Sequence, residues 1–188
     1  MRYHRELLTI ILLFGVVLAL SSGPVPAGPK GENVARYYGT ALSTLGVAEA
    51  GLYEVDGKDF ALLPEKRLLV VTRNYASVRG YRGASVLGIV LSSDGKVAQV
   101  LLLHTPDTRS YMRRLARKLS RLAEQSVDSD KRPALALTGA TRSARAVTVT
   151  VNQTLDKFAP VFKKLVLADD GIRYDGKALS PTSTLAAK

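Results

Sequence analysis

The sequence predicts an α+β domain, a twisted and mainly antiparallel sheet flanked by helices, preceded by one N-terminal membrane-anchor or signal helix. Three observations predict it. Short apolar or alternating runs fill residues 68–72, 85–91 and 96–103, separated by Asp56-Gly57, Gly80, Gly83 and Asp94-Gly95. That is the pattern of strands joined by tight turns. Apolar residues return at helical spacing in three other places: Val34, Tyr37, Tyr38, Ala41 and Leu45; Tyr111, Leu115, Leu119 and Leu122; and Val147, Val151, Leu155, Phe158, Phe162 and Leu165. Residues 7–20 form an apolar run behind Arg2, His4 and Arg5.

The apolar run is short for a membrane span, which takes roughly 17–25 residues, and matches a signal-peptide core as well as an anchor. The basic flank precedes it, so residues 1–5 stay on the cytoplasmic side and the chain beyond lies outside the membrane. The division that follows is an anchor or signal segment at 1–22, a linker at 23–32 in which Pro24, Pro26 and Pro29 alternate with small residues, and an extracytoplasmic domain at 33–188. In the domain, Asn33 can cap the first helix and Gly46 ends it. Asp94-Gly95 is the clearest hairpin turn, which makes its two flanking strands antiparallel neighbours. A second helix is expected over 108–125 and a third around 143–158, kinked or broken at Pro160. The Asp175-Gly176 turn leads into a Ser/Thr-rich tail expected to fray.

Composition excludes several classes of chemistry. The 188 residues contain no cysteine and two histidines, His4 and His104, so disulfides, iron–sulfur ligation and a histidine-built metal site are out, and redox work would rest on an organic cofactor. The net charge of +11 suits an anionic lipid face or an acidic protein surface. Nucleic acid is not expected, because the domain is exported and carries no recognised module. Arg109, Arg113, Arg114, Arg117, Lys118 and Arg121 concentrate the charge on one predicted helix. There is no catalytic cluster and no dinucleotide-binding glycine motif, so a subunit is a better expectation than a free-standing enzyme.

One motif joins an apolar stretch to a predicted helix: Thr138-Gly139-Ala140-Thr141-Arg142-Ser143-Ala144-Arg145. Glycine allows close approach of a bulky group, and the first N–H groups of a helix with nearby arginines favour a phosphate. By itself the pattern is equally that of a capped helix start. It has company, however, in Gly80-Tyr81-Arg82-Gly83, a strand, Asp94-Gly95-Lys96, a second strand, His104-Thr105-Pro106, a helix, and then Thr-Gly-Ala-Thr before a helix with Ala146-Val147. In that order these parts resemble the FMN-binding domain shared by the C subunit of sodium-translocating NADH:quinone reductase and the G subunit of Rnf complexes.

The resemblance implies FMN joined through its phosphate to Thr141, with Thr138, Gly139, Ala140 and Ser143 around it and His104 and Thr105 as flavin neighbours. It implies an electron-transfer subunit, anchored in the cell membrane by a single pass with the domain on the periplasmic side, working among other subunits of a respiratory complex. Two departures stand out. The family pattern has an acidic residue where this chain has Leu135, and a Glu-Thr-Pro-Gly segment is shortened to His104-Thr105-Pro106-Asp107. Covalent FMN, non-covalent flavin and a flavin-free descendant serving as a structural or interaction subunit all remain open on the sequence.

Overall fold

The computed structural model describes residues 32–123, 125–129 and 141–187. The segment 1–22, nearly all of the linker, and Leu135, Thr138, Gly139 and Ala140 lie outside the described residues. The domain is α+β, with an open antiparallel sheet. In chain order it contains α1 (Glu32–Leu45), β1 (Glu49–Val55), β2 (Lys58–Leu63), β3 (Arg67–Val71), β4 (Val86–Leu91), β5 (Val97–His104), α2 (Arg109–Ala116), α3 (Thr141–Phe162), β6 (Leu165–Ala168), β7 (Gly171–Tyr174), β8 (Lys177–Leu179) and β9 (Ser183–Ala186). Six strands form one sheet in the order β5-β4-β3-β2-β1-β9, and β6-β7-β8 form a small second one. No helix among the described residues is long and apolar enough to cross a membrane.

The large sheet is covered on both faces. On one side, Leu68, Val70, Leu87, Ile89 and Leu91 meet Met112 and Leu115 of α2 and Val147, Val151, Leu155 and Phe158 of α3. On the other, Leu69, Val71, Val86 and Val90 meet Val34, Tyr38, Ala41 and Leu42 of α1. Successive residues of a strand point to opposite faces, so β4 is buried at every position and reads as a continuous apolar run rather than an alternating one. The predicted hairpin is present: Leu91 pairs with Val97 and Ile89 with Val100, antiparallel. Its loop closes by Gly95 N–H donating to the Ser92 carbonyl at 3.0 Å, with Gly95 at φ +80°.

The structure corrects four expectations. The helix expected over 108–125 stops at Ala116, and Leu119–Leu122 continues as a 3₁₀ turn. Arg109, Arg113 and Arg117 repel at i,i+4 spacing, as do Arg114 and Lys118, and the tighter turn carries both Leu119 and Leu122 into the core. Tyr111 does not belong to the buried stripe: it is 37% exposed, and Met112, at 2%, takes its place. The third helix passes Pro160 and ends at Phe162, because the bond a proline forgoes falls in the last turn on the exposed side; Leu165 already belongs to β6. The tail is not frayed. Glu49 pairs with Ala186 and Leu52 with Ser183, so β9 closes the edge of the sheet beside β1.

Two of the threonines inside α3 satisfy their hydroxyls on the helix backbone. Thr148 Oγ1 donates to the Ala144 carbonyl at 3.0 Å and Thr154 Oγ1 to the Thr150 carbonyl at 2.8 Å. Thr150 Oγ1 instead accepts the Val78 N–H at 3.3 Å, tying α3 to the loop between β3 and β4. That loop leads directly into the candidate site.

Candidate functional site

The start of α3, the loop before β4 and the turn after β5 meet at one carboxylate. Asp107 is 6% exposed. It accepts the Ser143 hydroxyl at 2.5 Å, the Arg82 N–H at 2.5 Å and the Tyr81 N–H at 3.3 Å. Burial works to raise its carboxyl, but the bonds from Ser143, Arg82 and Tyr81 outweigh it, so its pKa lies below the ordinary aspartate range. The turn it grips is itself closed by Gly80 N–H donating to the Gly83 carbonyl at 2.8 Å. A Cβ on Gly80 would stand 2.5 Å from Asp107 Oδ2, and one on Gly83 would stand 2.7 Å from Pro106 Cγ. The glycines of Gly80-Tyr81-Arg82-Gly83 are therefore required by close approach to Pro106-Asp107.

Thr105 organises the same corner. Its Oγ1 accepts the Ser85 hydroxyl at 2.9 Å and the Asp107 N–H at 3.1 Å, which aims the Asp107 side chain at α3. Around this junction opens a cleft of about 320 Å³ whose walls include Tyr81, Tyr111, Thr141 and Arg142. Tyr81 is 67% exposed. The Arg114 guanidinium lies 4.9 Å from the centre of the Tyr111 ring, close enough for a cation–π contact. Thr141 is exposed and is the first residue of α3, whereas Ser143 is buried.

Of the residues singled out in the sequence, Thr105, Thr141 and Ser143 thus come together. His104 does not join them. It is exposed at the end of β5, with its ring 6.2 Å from that of Tyr37 in α1. Tyr37 packs on the opposite face of the sheet from α3. Asp107, Tyr81 and Tyr111 were not singled out as site residues; Asp107 bonds partners 25 to 36 residues away, Tyr81 among them, which no local spacing discloses. Among the described residues no group of three His, Asp or Glu side chains could hold a metal ion.

Fold and site together define an α+β domain with a solvent-facing cleft at a helix start, walled by aromatic, hydroxyl and arginine side chains. No protein-family model matches the chain, and no curated protein matches it in sequence.

Proposed function

We propose that this domain carries FMN, phosphoester-linked through Thr141, and serves as an electron-transfer subunit of a membrane respiratory complex. The observation that carries this reading is the placement of Thr141 at the mouth of a cleft flanked by Tyr81, Tyr111 and Arg142. The residues present fit such a group. Thr141 is an exposed hydroxyl-bearing residue at a helix N-terminus, where backbone N–H groups and Arg142 favour a phosphate. The two tyrosine rings offer apolar surface for an aromatic ring system. FMN, when bound, supplies the one- and two-electron chemistry. The protein's part is to orient it: the Asp107 junction holds Tyr81 and the start of α3 in fixed relation.

The test is the intact mass and visible absorbance of the full chain purified from membranes. A single added FMN mass is expected, lost in Thr141→Ala with folding nearly unchanged. Ser143 is not a substitute attachment point, since its hydroxyl is buried and donated to Asp107. Full covalent flavin in the Thr141 variant would sink the assignment.

The flavin-free reading is favoured by a different observation. Arg109, Arg113, Arg114, Arg117 and Arg121 are all exposed, and none makes an ion pair with the described residues. On this reading the cationic face of α2 and of the 3₁₀ turn after it docks on anionic lipid or an acidic protein surface, with attachment that weakens as salt rises. A colourless wild type that gains flavin only as Leu135→Asp, with a flavin transferase present, would favour it.

A further inference from the structure

A second cleft adjoins the first at Thr141 and Arg142 but has other walls. It measures about 430 Å³ and is lined by Arg79, Arg142 and Arg145, with Val78, Ala146 and Val149 as its apolar part. Arg79 comes from the loop before β4, while Arg142 and Arg145 stand one turn apart on α3, so two separate parts of the chain converge their charges on one space. Among the described residues no carboxylate lines the cleft, and none of the three arginines makes an ion pair with them. Three exposed cationic residues lining one partly apolar cleft repel one another, and an anion relieves the repulsion.

We propose that this cleft is an oligophosphate-binding subsite, taking a diphosphate or longer phosphate chain. The guanidinium fork matches phosphate oxygens two at a time, and three forks can engage more oxygens than one phosphate group presents on one side. The volume agrees: a water occupies roughly 30 Å³ of liquid, so the cleft has room well beyond a single phosphate. Val78, Ala146 and Val149 reduce the water around the bound charge and strengthen its attraction. The arginines belong to the chain whether or not Thr141 is esterified, but Thr141 lines this cleft too and Arg142 lines both, so a group esterified there would share the space.

Inorganic pyrophosphate, orthophosphate and citrate titrated into the full chain, by calorimetry, test this. Wild type and Thr141→Ala are both used, so that an attached group cannot mask the cleft. Pyrophosphate is expected to bind at least tenfold more tightly than either of the others. Arg79→Ala and Arg145→Ala should each weaken it by tenfold or more at unchanged melting temperature, and Arg79→Lys should recover part of the loss. Absence of pyrophosphate binding in both proteins, equal or tighter binding of orthophosphate or citrate, or indifference to the arginine substitutions would overturn the subsite. Flavin content, read by absorbance in the same samples, succeeds or fails separately.

Discussion

Asp107 joins three stretches of chain through one charge, which makes the junction sensitive to acid. Its folded pKa lies below the ordinary value, so the stability it contributes is present above the unfolded pKa, about 3.9, and is lost as pH falls from there through the folded pKa. Asp107→Asn should flatten the fall of melting temperature between about pH 5 and pH 3. Asp107→Ala, which strands the Ser143 hydroxyl and two backbone N–H groups, should cost roughly 2–3 kcal/mol in chemical denaturation. At this scale the sequence was partly legible. Thr105, Thr141 and Ser143 could be picked out, but Asp107 looked like a loss from a family pattern, because its value lies in contacts made only once the chain has folded. His104 was picked for its neighbours in sequence, and the alternation of side chains along β5 allows adjacent residues to face apart.

At the scale of elements, the turns and faces were the most legible. Asp94-Gly95 marked the β4–β5 hairpin because a left-handed residue is needed there, and the structure adds a second requirement: a Cβ on Gly95 would stand 2.6 Å from Phe162 Cε1. Gly95→Ala should therefore cost roughly 2–3 kcal/mol, from backbone strain and the displaced ring together. Phe158 is fully buried, with Phe60 and Tyr75 ring centroids at 5.7 and 6.0 Å. Phe158→Ala should remove about 3–5 kcal/mol, measured by denaturant midpoint. The break after Ala116 was not legible, because an apolar stripe at spacings of three and four fits an α-helix and an α-helix followed by a 3₁₀ turn equally well.

Across the whole molecule, the α+β class followed from the change of period along the chain, and the three layers explain why several strands lacked alternation. Strand order was beyond reach, and β9 more so: Ser183, Thr184, Leu185 and Ala186 carry one apolar position that reaches the core, too little to announce a strand. Yet β9 pairs with β1 and touches α1, so some 130 residues separate partners in the finished sheet, as in the bond from Thr182 Oγ1 to the Leu52 carbonyl. This places a clock in the fold. While the chain is being made, the outer edge of β1 waits for nearly all the rest of the domain, and contacts so distant in sequence are slow to close. An open strand edge during that wait is a site for wrong pairing with a neighbouring chain. A chain ending at residue 180 should consequently refold to a form that clumps at micromolar concentration while the longer chain stays monodisperse in light scattering, so β9 acts as the guard of β1.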